Sequence, residues 1–153
     1  MYIGGLKRYV HSTIELKIIN SSRTCLIQSL EQGLAFHASV VTPIGVITCG
    51  GRTFNGRERK VSRKCVILNN QNNWIPFPSL KKAPYNLQMV VLGDILVAID
   101  PFYDRYEKIN WRNGDKWETI KMVIKLYQPC ITKWDDENIL ITGGRKNHVS
   151  NAP

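Results

Sequence analysis

The sequence has few residues of the kinds that carry catalysis or bind metal ions. Its 153 residues include three histidines, His11, His37 and His148, which are too far apart to match the spacing of metal ligands. It has no glycine-rich phosphate-binding loop and no local nucleophile motif. We therefore identify no catalytic residue, no metal ligand and no cofactor site, and we expect a protein that is not an enzyme.

Long hydrophobic runs are also missing. The longest apolar stretch, Met89 to Ile99, is interrupted by Asp94 and is shorter than the roughly 20 residues that a membrane helix needs. No signal peptide is visible, because Met1 falls inside a predicted strand. These absences predict a protein without a membrane partner.

Cysteine is scarce, and its four copies show no close pair. Each cysteine lies on a predicted strand, where a small buried thiol is a sufficient explanation. This pattern favours a cytoplasmic location. A secreted protein is the alternative if Cys49 and Cys65 form a disulfide or if the sequon at Asn20 is glycosylated.

The residues that are present predict a folded, all-β protein. Hydrophobic residues make up 43% of the chain and charged residues 22%, which are close to the averages for globular proteins. Apolar and polar residues alternate over short segments such as Ile14 to Ile18, and no segment shows a sustained helical period. Short strands separated by turns are typical of all-β proteins.

A diglycine after an apolar strand recurs along the chain. It occurs in "MYIGGLK", "VITCGGR" and "ILITGGR", and the interval between the first two copies is about half that between the last two. A related strand, "ILVAIDP", stands near the middle of the longer interval, with Ile99 and Asp100 where the glycines are expected. The chain therefore contains about three repeat periods. The repeated glycines are Gly4, Gly5, Gly50, Gly51, Gly143 and Gly144.

Each period also contains a hairpin turn followed by a bulky or apolar residue. The clearest turn is at Asn113-Gly114, because both residues accept positive φ. Trp74 and Trp117 follow the turns of two periods, and Cys25 takes the corresponding position in the first. Two further short strands precede each diglycine position. Each period thus predicts four consecutive antiparallel strands.

Four strands per period, the diglycine and the tryptophan on the last strand together resemble the kelch repeat family. The resemblance covers nearly the whole chain and implies a β-propeller built of four-stranded antiparallel blades, with the tryptophans between neighbouring blades. Because three periods cannot close a ring, we expect an incomplete propeller and a chain that is part of a longer protein. Its open blade edges would allow self-association. The predicted units are 1–34 (incomplete first blade), 35–83 (second blade), 84–125 (third blade) and 126–153 (start of a fourth blade and tail).

Acidic residues are outnumbered, and the formal net charge is +9. In a four-stranded meander, the turn between the second and third strands and the link to the next blade emerge on one face, and this face is rich in Lys and Arg. The acidic residues Asp94, Asp115, Asp135, Asp136 and Glu137 lie in the opposite turns. Such a basic face would attract an acidic partner. The candidate partner-binding residues are Arg52, Arg57, Arg59, Lys60, Arg63, Lys64, Lys81 and Lys82.

These observations predict a protein–protein interaction module that binds an acidic or phosphorylated segment of another protein. Nucleic acid is not the expected ligand, since no row of exposed stacking aromatics accompanies the basic residues. The kelch resemblance implies a possible role in substrate recognition for a ubiquitin ligase adaptor. It also leaves two alternatives open, a fragment of a sugar-modifying or copper oxidase-like propeller enzyme and an actin-binding protein.

Overall fold

The structure, a computed structural model, consists of antiparallel β-sheets. It describes residues 2–6, 10–17, 24–27, 30, 34–55, 58–101, 103, 105–123 and 126–146. No described residue lies in a helix. The all-β class predicted from the sequence is confirmed.

The described part of the chain forms short strands in close succession. In chain order they are β1 (Tyr2–Leu6), β2 (Val10–Lys17), β3 (Thr24–Ile27), β4 (Ala35–Thr42), β5 (Gly45–Asn55), β6 (Glu58–Val61), β7 (Cys65–Leu68), β8 (Trp74–Phe77), β9 (Gln88–Leu92), β10 (Ile95–Asp100), β11 (Arg105–Asn110), β12 (Glu118–Lys121), β13 (Leu126–Tyr127), β14 (Cys130–Lys133), β15 (Ile139–Thr142) and β16 (Arg145–Lys146).

Neighbours in the sequence pair with each other in these sheets. The first sheet has the order β1-β2-β3, the second β4-β5-β7-β8 with β6 added to β5, and the third β12-β11-β10-β9. Two short ladders, β14-β15 and β13-β16, follow. All the described pairings are antiparallel, as expected for strands joined by short turns.

The position of strand β10 between two cores explains why residues 95–99 are an uninterrupted apolar run. Leu96 and Ala98 belong to a core shared with the second sheet, while Val97 and Ile99 belong to a core that also contains residues of β14 and β15. Alternate side chains of a strand point to opposite faces, so a strand with a core on each side has no solvent-facing position. The third sheet is therefore packed on both faces.

The second and last diglycines have left-handed backbone, and at the second copy close contacts add to this reason for glycine. Gly50 and Gly51 have φ of 69° and 90°. A Cβ atom on Gly50 would lie 2.7 Å from Cγ of Pro84, and one on Gly51 would lie 2.9 Å from the Ala35 carbonyl oxygen. Both the conformation and the lack of space exclude larger residues here.

The same backbone geometry recurs at the last diglycine. Phe36 (φ 58°) stands at the ladder position that faces Gly51, and Gln128 (φ 55°) stands at the position that faces Gly144. In both places the ladder keeps its register across the interruption. The repeat seen in the sequence is thus a repeat of local backbone conformation.

The corresponding position of the third sheet is built differently. Ile99 pairs with Gln88 in an uninterrupted ladder, and neither Ile99 nor Asp100 has a positive φ. The buried carboxylate of Asp100 accepts a hydrogen bond from the Tyr85 backbone N–H at 2.7 Å. A carboxylate at the diglycine position therefore holds the chain segment that precedes β9.

Trp117 lies between the second and third sheets. Its side chain is 1% exposed, and its indole Nε1–H donates to the Pro78 carbonyl oxygen at 2.7 Å. Its ring meets that of Phe77 edge to face, with centroids 6.4 Å apart. Trp74 is only partly buried and packs against a smaller cluster around Leu30. The two tryptophans thus occupy different environments.

The first strands of successive units lie next to each other. Strand β4 contacts β9, and β9 contacts β14. The Gln88 side chain joins the last two, because its amide donates to the Pro129 carbonyl oxygen at 2.7 Å and accepts from the Ile131 N–H at 3.0 Å. The first strand of the second sheet therefore lies beside the first strand of the third sheet, which in turn lies beside β14.

Candidate binding surface

The predicted basic loop is largely a β-hairpin. Strand β5 continues past the diglycine to Asn55 and pairs with β6, so that Arg52 faces Val61 and Thr53 faces Lys60. We name residues 50–64 the basic hairpin. From the sequence this stretch is expected to be a connecting loop, because its alternation of charged and apolar residues is too short to reveal a strand pair. The extra pairing makes it an ordered arm of the second sheet.

A disulfide closes the base of the basic hairpin. Cys49 and Cys65 are directly opposite each other in the β5-β7 ladder, and their sulfur atoms are bonded. Next to them the Gly50 N–H donates to the Lys64 carbonyl oxygen at 2.9 Å. The hairpin therefore leaves and re-enters the sheet at one covalently joined point. This pairing is the condition under which the sequence analysis allowed a secreted protein.

The hairpin presents positive charge to solvent. Lys60, Arg63 and Lys64 are exposed. Arg57 lies outside the described residues, and for Arg59 the backbone alone is described, paired with Phe54. The Arg63 carbonyl accepts the Leu80 N–H at 3.0 Å, which joins the hairpin to the segment that follows β8.

Residues 78–87, which we name the linker segment, join the second sheet to the third and carry the two predicted lysines. The buried Glu107 carboxylate accepts from the backbone N–H groups of Lys81 at 2.7 Å and Lys82 at 3.1 Å. Glu107 is thus held by backbone N–H groups and not by the lysine ammonium groups. Both lysine side chains are exposed. Glu107 and Asp100 together hold the linker segment beside the basic hairpin.

An arginine–aromatic cluster connects the hairpin, the linker segment and the third sheet. The Arg52 guanidinium lies 5.3 Å from the Phe36 ring centroid and 5.6 Å from that of Tyr85. The Tyr85 and Tyr103 rings are 6.2 Å apart, and the Arg105 guanidinium lies 4.2 Å over Tyr103. These distances are within the range of cation–π contacts and aromatic pairs. The cluster combines residues from four separate segments on one surface.

Two rings of this cluster face solvent. Phe36 is 55% exposed and Tyr85 is 48% exposed. Phe36 also has the left-handed backbone described above, which is rare for a bulky residue. An exposed aromatic residue in an unfavourable conformation contributes little to the core. Such features are concentrated at functional sites.

Several charges in the β9–β10, β11–β12 and β14–β15 turns are paired. Arg112 donates to the Asp94 carboxylate at 2.6 Å, and Lys133 forms an ion pair with Asp136. By contrast, none of the described ion pairs involves Arg52, Arg63 or Lys82. Exposed ion pairs contribute little stability, but they do cancel charge locally. Among the described residues, Arg63 and Lys82 are therefore exposed cations outside the described ion pairs.

The turn between β14 and β15 is stabilised by one carboxylate. Asp135 accepts hydrogen bonds from the Asn138 side chain and from the backbone N–H groups of Glu137 and Asn138. These bonds, led by that from the Asn138 side chain, lower the pKa of Asp135 below its ordinary value. Trp134, beside it, is exposed.

A small, partly open recess lies at the linker segment. Asp100, Glu107 and Arg105 are among the residues that line it. Both carboxylates hold the backbone of the linker segment, so their oxygens already have a structural role. The described residues include no group of His, Cys, Asp and Glu that could hold a metal ion.

The structure brings Arg52, Lys60, Arg63, Lys64, Lys81 and Lys82 into one region, but with different surroundings. Arg52 is partly buried between aromatic rings, whereas the five others are exposed. Sequence analysis missed Phe36, Tyr85, Tyr103 and Arg105. The signal that could have pointed to Phe36 is its place in the strand opposite the diglycine Gly50-Gly51.

Among the described residues no helix is long and apolar enough to cross a membrane. Comparison with models of known protein families and with curated proteins found no match to this chain.

Proposed function

We propose that this chain is a non-enzymatic protein-interaction module, in which the basic hairpin and the linker segment bind an acidic segment of another protein. The observation that carries the proposal is the group of exposed lysine and arginine side chains next to exposed aromatic rings. Charge complementarity steers and speeds encounters, while aromatic residues supply contact area at low entropic cost.

We also propose that the sheets are blades of an incomplete kelch-like propeller. Three features support this: the chain-order pairing of four strands in the second and third sheets, the recurrence of the left-handed pair at the diglycines, and the side-by-side packing of β4, β9 and β14. Propeller blades present their connecting loops on two opposite faces. The binding surface would then belong to one of these faces.

The joined cysteines favour an oxidising compartment as the place where the module works. Cys49 and Cys65 are both buried and directly opposite each other in neighbouring strands. Stable disulfides form in secreted and extracytoplasmic proteins. Peptide mapping without reductant, which should recover one linked Cys49–Cys65 peptide, tests this part of the proposal.

Charge reversal tests the binding function. The variant carries Arg63→Glu and Lys82→Glu, which change one exposed cation of the hairpin and one of the linker segment. The control carries Lys116→Glu, an exposed cation in the turn between β11 and β12. The probe is a fluorescent peptide rich in Asp and Glu, whose association is followed by stopped-flow anisotropy at several salt concentrations.

We expect the double variant to associate about tenfold more slowly at low salt and with a flatter salt dependence, since steering scales with surface charge. The single control should differ little from the parent. Equal slowing in the control would mean that net charge alone matters and that the surface assignment is wrong. If a random-sequence DNA duplex binds more tightly than the peptide and loses the same affinity in the variant, nucleic acid replaces protein as the ligand.

A further inference from the structure

The Arg52 side chain has a setting that suits a particular ligand group. Its guanidinium lies over two aromatic rings, 5.3 Å from the Phe36 centroid and 5.6 Å from the Tyr85 centroid. A guanidinium donates hydrogen bonds only in its own plane, so contacts with ring faces do not use its donors. Stacking also limits the freedom of the side chain, which reduces the entropy lost when a ligand binds.

No acceptor from the described residues meets these donors. The Arg52 Nε atom is buried and makes no hydrogen bond, and none of the described ion pairs includes this guanidinium. A buried donor without an acceptor is unfavourable in a folded protein. Nε is covered but the residue as a whole is only partly buried, so the two Nη groups are the donors that we assign to a ligand.

We propose that Arg52 is the anion-binding residue of this surface and that its outer edge binds the phosphate monoester of a phosphorylated segment in the partner. This inference rests on the proposed function and names the chemical group that the surface recognises. Two parallel N–H···O bonds from a guanidinium to one phosphate are a strong and directional arrangement.

The surroundings favour a phosphate over a carboxylate. A phosphate monoester carries a charge of about −1.5 to −2 at neutral pH, so it gains more from additional cations than a carboxylate does. Arg105, which lies over Tyr103 in the same cluster, and Lys82, which is exposed on the linker segment, supply such cations. The nearby carboxylates, Asp100 and Glu107, lie buried and accept backbone hydrogen bonds.

The substitution Arg52→Lys separates this binding mode from general electrostatic attraction. Lysine keeps the charge but lacks the planar fork and the stacking surface. Arg112→Lys is the matched control, because Arg112 is an exposed arginine that also lies over an aromatic ring, 4.7 Å from the Trp111 centroid, but stands outside the basic hairpin and the linker segment. Circular dichroism checks that both variants keep the β-sheet fold.

The probe is phenyl phosphate, titrated into the full chain at constant ionic strength while the arginine Nε–Hε signals are followed by NMR. We expect the Arg52 signal to shift and saturate, and the Arg112 signal to change little. Arg52→Lys should weaken binding of phenyl phosphate about tenfold or more, as expected for loss of a bidentate charged contact, while Arg112→Lys keeps the parental affinity.

Equal shifts of the two arginine signals, or unchanged affinity in Arg52→Lys, would overturn the inference. The unphosphorylated acidic peptide, measured on the same samples, separates it from the proposed function. If that peptide binds with the expected salt dependence but phenyl phosphate does not bind, the module remains an acidic-partner binder and the role of Arg52 is wrong. If phenyl phosphate binds through Arg52 but charge reversal leaves peptide binding unchanged, the Arg52 site stands and the wider surface is wrong.

Discussion

Removing the Trp117 side chain should strongly destabilise the protein. Its ring is 1% exposed and fills the space between the second and third sheets. A buried tryptophan removes roughly 150–250 Å² from water, at about 25 cal/mol for each Å² of apolar area. Trp117→Ala also leaves the Pro78 carbonyl without its indole donor. We therefore expect a loss of about 3–5 kcal/mol in the free energy of unfolding.

Two other substitutions divide this loss into its parts. Trp117→Phe keeps an aromatic ring beside Phe77 but removes the N–H that donates to Pro78, so part of the loss should remain. Trp134→Ala is the matched control, because Trp134 is 70% exposed. We expect it to change the free energy of unfolding by no more than about 0.5 kcal/mol.

Urea unfolding followed by far-UV circular dichroism measures all three variants against the parent. If Trp117→Ala and Trp134→Ala are equally mild, the two sheets do not pack through Trp117 in solution. Trp74 is only partly buried, so its replacement by Ala should be less costly than that of Trp117. The sequence alone predicts the same large loss for both tryptophans, and burial is what separates them.

Three further predictions concern the hairpin and the last turn. The Cys49–Cys65 bond spans a sequence separation of 16 residues. Replacing both cysteines by Ala should lower the free energy of unfolding by about 3 kcal/mol, measured by urea titration, and no loss would mean that the bond does not constrain the unfolded chain. Phe36→Asn should relieve the left-handed strain and keep or raise the stability by about 1 kcal/mol while weakening phenyl phosphate binding; a clear loss of stability would contradict the strain argument. Asn138→Ala should raise the pKa of Asp135 towards its ordinary value in an NMR titration, because the Asn138 side chain donates to the ionised carboxylate and stabilises it. The stability that this bond contributes is present above the ordinary pKa and is lost as pH falls through the lowered pKa. An unchanged pKa in the variant would contradict this cause.

The sequence by itself determined the features that depend on neighbours along the chain. Alternating apolar residues predicted the strands, and the turn residues between them predicted antiparallel order. The repeated diglycines marked positions that the structure places in left-handed backbone, such as Gly50 and Gly143. Local conformational preference is written into short stretches of sequence, and these predictions needed no knowledge of distant contacts.

The tertiary structure alone decided what the surface contains. Phe36, Arg52, Tyr85 and Tyr103 come from four separate segments, and no local pattern indicates that they meet. Asp100 stands where the repeat predicts glycine, and its contact with the Tyr85 N–H gives it a different role. The same +9 charge would suit many surfaces, but burial and pairing distinguish the stacked Arg52 from exposed neighbours such as Arg63. Long-range packing sets those environments, because the strands that carry them meet only when the sheets assemble.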